Sequence, residues 1–408
     1  WVLASAFLVF LQTPALAVMQ AGMVRRSGFL SMFLQVLAGM SVGGVMWLIW
    51  GFSLTFGRDH AMFIGDLDYS MFVNVDPSKC FELAPTISTS AFIMYELTFA
   101  IMTPVLVTGT WAERIHLPAL FVFCFLWPAL VWYPLAHWVW AGGWLSVLGI
   151  LLSFFLSFSH SFNFSSTFFL IQGVIDFAGG LIVHTSSGVA AFVVALIIGI
   201  PGVHDEAPPE DEKNVGLTMI GGTLIWAGWL GFNGGSYFNA SPLAALAVLN
   251  TQISASVGSL VWGLLATLFD NEGSYHLLEF LNGGLAGLAG ITASAGYVDT
   301  WAAFVIGIVS TVCAFSCQRF MKGKVFLSDT LDVASLQGAP GISGSFCAGL
   351  FAKYTFSGAF YGFPIRIAYQ MLAIMVTVLW SAFWTYVIMK VIDRTVGIFP
   401  RDHADVVT

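Results

Sequence analysis

The sequence predicts an all-α membrane protein, a bundle of eleven transmembrane helices. Three observations carry that prediction. Of 408 residues, 58% are hydrophobic and 9% charged, with a mean hydropathy of +0.86, and these values exclude a soluble domain. Apolar stretches long enough to span a bilayer recur eleven times. One of them, VIDFAGGLIVHTSSGVAAF (174–192), holds an ionisable imidazole, His184, in an otherwise apolar run. In a soluble protein a buried histidine usually just donates to a carbonyl; inside a membrane ionisable groups are expensive and line pathways.

The spans run about 1–24, 29–56, 88–110, 117–141, 174–200, 215–238, 242–269, 276–293, 299–320, 332–352 and 363–390. An odd number puts the termini on opposite sides. With the N-terminus outside, Arg25, Arg26, Arg114, Lys213, Arg319, Lys322, Lys324, Lys390, Arg394 and Arg401 fall in the cytoplasm, ten of the 14 basic residues. The domain reading is a transmembrane unit over 1–391 and a short cytoplasmic segment over 392–408. Residue 1 is Trp within an apolar run, so a leader or preceding segment is expected before it.

The polar loop 57–87, with Asp66, Asp68 and Asp76, faces outside. The Phe- and Ser-rich stretch 150–172 reads as an interfacial or re-entrant insertion on the outer face, with His160 interfacial rather than catalytic. The acidic 201–214 reads as a solvated cytoplasmic loop rather than a metal site. Net charge of −8 resides in short loops, and no basic run points to nucleic acid. The five cysteines lack disulfide or metal spacing, and Cys124, Cys313, Cys317 and Cys347 read as small packing residues. No metal and no cofactor is expected.

The fifth span, read as a helix from near Asp176, places His184 about 12 Å along it, near the bilayer middle. Gly180 and Gly188 flank the imidazole at four-residue spacing and let a neighbouring backbone approach. The tenth span opens from the opposite side with Asp332 and carries Gln337, Gly338, Gly341 and Gly344. Opposite entry directions, each with an acid where the helix dipole favours it, predict an inverted five-plus-five repeat with His184 and Gln337 meeting at its interface.

Five segments, DFAGGLIVH (176–184), WYPLAHWVWAGGW (132–144), GWLGFNGGS (228–236), AGLAGITASAGYV (286–298) and LDVASLQGAPGISG (331–344), resemble the Amt/Mep/Rh ammonium transporter family, in order and over nearly the whole chain. The resemblance implies an eleven-helix bundle with inverted repeats, assembled as a homotrimer with one pore per subunit. It places an outer ammonium recruitment site on Phe99, Trp140 and Ser236. Aromatic faces attract the cation by about 0.5–2 kcal/mol, and the hydroxyl supplies an acceptor oxygen. By itself, Trp140 would read as a headgroup-belt residue. The resemblance also implies a hydrophobic gate of Phe99 and Phe232, and a structural role for Asp176 in the vestibule, capping its helix.

Two departures from the family pattern follow. Where the family pairs two pore histidines, this chain sets His184 against Gln337, and an amide exchanges hydrogen bonds but does not take up and release protons near neutral pH. Proton transfer along the pair is thus in question, whereas recognition is not. After Lys390 the chain offers only VIDRTVGIFPRDHADVVT, unlike the family's cytoplasmic tail, and this predicts a truncated sequence or a following signalling domain such as a histidine kinase. The resulting readings are an ammonium sensor or receptor domain with little or no conduction, and a working ammonium transporter that tolerates the glutamine. An enzyme is remote, since no nucleophile–base pair, ligand spacing or phosphate loop is present.

Overall fold

Eleven helices traverse the computed structural model, which describes residues 1–149, 173–199, 213–269, 277–322, 324 and 327–399. The insertion expected at about 150–172, positions 201–212 of the acidic loop, and 400–408 lie outside the described residues. In chain order the helices are α1 Val2–Ala21, α2 Arg26–Phe56, α3 Thr89–Trp111, α4 Leu117–Trp140, α5 Gly180–Ile198, α6 Val215–Gly235 and α7 Pro242–Phe269. They continue with the shorter α8 Leu277–Ile291 and with α9 Thr300–Met321. The tenth, α10, opens with a π-turn over Ala334–Gly338 and continues as Ala339–Phe351; α11 is Ile365–Thr395. Among the described residues nine of these are long and apolar enough to cross a membrane. The loop between α2 and α3 folds into two short antiparallel hairpins, Asp59–His60 with Ile64–Gly65 and Cys80–Phe81 with Ala84–Ser88.

α1 packs along α6, α7 lies against α8 and α9, and α11 runs across α4, α5 and α10. Glycine permits the close crossing of α5 and α10. A Cβ on Gly188 of α5 would fall 2.1 Å from the Gly338 nitrogen of α10, and one on Gly341 would fall 2.7 Å from the Thr185 nitrogen. Without a side chain at these positions, backbones meet where the lipid gives no hydrophobic drive.

Those two contacts are the same contact seen twice. Gly341 and Gly338 lie 153 residues after Gly188 and Thr185, the separation of His184 and Gln337. α5 and α10 each begin with a π-turn, at Gly180–Thr185 and Ala334–Gly338. The inverted repeat therefore holds, with one change of register. The counterpart of Asp176 is Asp329, whose carboxylate accepts from the Ala334 amide at 2.7 Å. Asp332, taken from the sequence as that counterpart, instead accepts from Gln318 at 2.7 Å and pairs with Lys322 at 3.5 Å. Its backbone turns left-handed (φ 57°), which aspartate tolerates better than most residues.

The fifth helix also begins later than the apolar run implies. Gly173–Gly179 enters the bundle as non-helical backbone and the helix starts at Gly180. Irregular backbone inside a membrane protein needs hydrogen-bond partners, and other segments supply several of them here. Ile175 exchanges bonds with the Gln370 amide in both directions, at 2.9 and 2.8 Å, and Arg366 of α11 donates to the Gly173 carbonyl. Phe177 and Ala178 donate to the Ala293 and Thr292 carbonyls at 2.9 and 3.1 Å.

Candidate functional site

Asp176 closes the buried entry to α5. One carboxylate oxygen accepts from the Gly179 and Gly180 amides at 3.1 and 2.7 Å, the other from Leu181 and Ile182 at 2.9 and 3.1 Å. All four leading N–H groups of the helix are thereby satisfied by one anion placed at the positive end of the dipole. Gly179 takes φ 109° just before the first helical turn, a conformation that a side chain would resist. The Asp176 carbonyl accepts from the Trp140 indole at 2.7 Å, so the cap also fixes the ring that overlies it.

Around this cap lies a cavity of about 160 Å³, lined among others by Phe99, Trp140, Asp176, Ser236, Tyr297 and Glu96. The three residues expected to recruit a cation thus share one chamber. Phe99 and Trp140 meet edge to face, with centroids 6.1 Å apart. Ser236 donates to the Phe232 carbonyl at 2.9 Å, and Tyr95 donates to that same carbonyl at 2.6 Å while its oxygen sits 3.1 Å from the serine hydroxyl. With both hydroxyl protons spent on Phe232, Ser236 retains lone pairs for a donor in the cavity.

Beyond the chamber the aromatic series continues. The Phe99 and Phe232 ring centroids lie 4.2 Å apart, and both side chains are about 1% exposed. Phe232 is 5.9 Å from the His184 ring, and Trp229 stacks on that ring at 4.9 Å, held by an indole bond to Thr292 at 2.9 Å.

His184 and Gln337 come together as the inverted repeat predicts. The imidazole Nδ1 and the amide Oε1 are 2.7 Å apart. An amide oxygen only accepts, so Nδ1 carries the proton and Nε2 is a bare lone pair. That Nε2 is buried and has no partner among the described residues. Left so, it would cost about 1–3 kcal/mol, which a donor arriving along the pore offsets.

Phe99, Trp140, Asp176, Ser236, Phe232, His184 and Gln337 lie on this one line from chamber to pore centre, while Tyr95, Trp229, Asp329 and Glu96 were missed. Glu96 carried the same signal that singled out His184, an ionisable group in an apolar run. Asp329 carried another, standing eight residues before Gln337 as Asp176 stands before His184. Tyr95 and Trp229 gave none in a chain with 15% aromatic residues.

A family model described as "Ammonium Transporter Family" matches residues 1–404. The chain is 38% identical to "Ammonium transporter 1" of Dictyostelium discoideum, over 98% of this chain and 82% of that protein. It is 33% identical to "Ammonium transporter Amt1" of Archaeoglobus fulgidus, over 98% and 93% respectively. The structure is similar to the crystal structure of Candida albicans Mep2, with a TM-score of 0.84 and 29% identity over 98% of this chain and 86% of that one. It is also similar to a solved "Sensor Amt Protein", with a TM-score of 0.84 over 99% and 95%; at 23% identity that likeness bears on the fold alone.

Proposed function

This chain belongs to the ammonium transporter family, and from that premise we propose that it takes ammonium from the outer chamber and recognises it at the pore centre without relaying its proton. Phe99, Trp140 and Ser236 form the recruitment site, Phe99 and Phe232 the gate, and Asp176 the structural cap. One observation carries the reading: the 2.7 Å bond between His184 and Gln337. A proton placed on Nε2 of His184 has no second imidazole to move to, because the amide oxygen is a far weaker base. A site that binds and does not relay suits a sensor or receptor, with reduced or absent conduction. The N-terminus and chamber lie outside and the C-terminus in the cytoplasm, the orientation that the basic residues favour. The assembly is a homotrimer in the lipid bilayer, and any signalling partner is cytoplasmic.

A second reading, a working ammonium transporter, is favoured by the names of the relatives that the chain nearly spans. Purified protein in proteoliposomes on a solid-supported membrane separates the two. The first predicts saturable ammonium binding with no sustained ammonium-evoked current, and Gln337→His is expected to raise the current. A robust, saturable current in the unaltered protein supports the second.

A further inference from the structure

We infer that Glu96, on α3 one turn before Phe99, is a binding residue of the chamber whose carboxylate supplies the negative charge that selects a small monovalent cation over its neutral base. The inference rests on the reading of the chamber as the recruitment site and adds to it a residue with a distinct chemical role.

Two carboxylates line the cavity, and their surroundings differ. Both oxygens of Asp176 are consumed by backbone amides, two to each, so its charge is committed to the start of α5. Glu96 is 5% exposed, lines the same cavity, and its Oε2 is buried without a partner among the described residues. Among the described residues that line the chamber, none is a lysine or arginine. A carboxylate inside a membrane bundle is costly unless a cation or a set of donors meets it. Ring faces and a serine lone pair attract ammonium but are formally neutral, so they give limited discrimination between a cation and an uncharged amine. An acceptor bearing a full charge gives more, through a charge-assisted hydrogen bond about twice as strong as a neutral one.

The position fits that task. Phe99 follows Glu96 by three residues, so the two side chains leave neighbouring places on one helical face, with Trp140 and Ser236 lining the same space. A cation lying against the Phe99 and Trp140 rings would have Ser236 Oγ and the Glu96 carboxylate as its oxygen acceptors.

The test measures ammonium binding to the purified full chain by calorimetry, for the unaltered protein and for Glu96→Gln, Glu96→Asp and Trp140→Leu. Infrared difference spectra on adding ammonium chloride, against a sodium chloride control, accompany it. Glu96→Gln keeps the shape and removes the charge, and is expected to weaken binding by about tenfold, equivalent to about 1.4 kcal/mol. Glu96→Asp is expected to stay closer to the unaltered protein. Ammonium is also expected to perturb a carboxylate stretching band that Glu96→Asp shifts and Glu96→Gln removes, a change that a merely structural role would not produce. If Glu96→Gln binds within about twofold of the unaltered protein while Trp140→Leu weakens binding, the inference is overturned and the recruitment site stands. If neither substitution matters, both fall. Should Glu96→Gln fail to fold, the spectrum of the unaltered protein decides: no carboxylate band responding to ammonium overturns the inference.

Discussion

Residue by residue, the chamber-to-pore line makes separate demands. Trp140 contributes a ring face and, through its indole, holds the Asp176 carbonyl. Trp140→Leu is therefore expected to weaken ammonium binding about tenfold, and Phe99→Ala similarly, as equilibrium titration would show. The tautomer of His184 gives an independent check. Nitrogen NMR of the labelled protein should find a neutral imidazole protonated at Nδ1, and Gln337→Leu should abolish that preference; a proton on Nε2 in the unaltered protein contradicts the hydrogen-bond assignment. His184 was legible in the sequence because an imidazole in an apolar run has few innocent explanations. The same logic applied to Glu96 within YELTFA (95–100), where it went unused. Tyr95 was not legible: its role is a bond to the Phe232 carbonyl, and only the fold brings α3 and α6 together.

At the scale of elements, the paired entries of α5 and α10 organise the pore. Hydrophobic runs located the helices to within a few residues, because lipid leaves no other way to satisfy the backbone. They did not show where α5 begins. The segment 173–179 is apolar apart from Asp176 and its glycines, and its non-helical course depends on Gln370 and Arg366, about two hundred residues away. The register of the repeat was misplaced for a similar reason: Asp332 stands nearer the apolar run, but Asp329 reaches the Ala334 amide. Asp176→Ala strands four amides and is expected to cost at least about 3 kcal/mol, more than Asp329→Ala, which strands fewer. Thermal unfolding in detergent would rank the two. Likewise Gly188→Ala, with Gly338 backbone 2.1 Å from the new Cβ, should lower the melting temperature sharply. Gly44→Ala, with nothing within 4 Å, should not.

For the whole molecule, the surface where the chamber opens is strapped by a polar cluster outside the membrane-spanning helices. Asp299 accepts from Lys353, Tyr354 and Tyr361, which ties the approach to α9 to the segment between α10 and α11. Partial burial raises its carboxyl pKa, but the bonds from Lys353, Tyr354 and Tyr361 outweigh that and hold it below the usual value of 3.8. A group depressed on folding stabilises above its unfolded pKa and loses that contribution as pH falls through the folded one. The melting-temperature difference between the unaltered protein and Asp299→Asn should thus be full near neutrality and vanish on acidification below pH 3.8. Native mass spectrometry should report a trimer. The central claim, recognition without proton relay at His184 and Gln337, is tested most directly by ammonium-evoked current in proteoliposomes that bind ammonium. The account predicts saturable binding with no sustained current, and current gained in Gln337→His; a sustained, saturable current from the unaltered protein would contradict it.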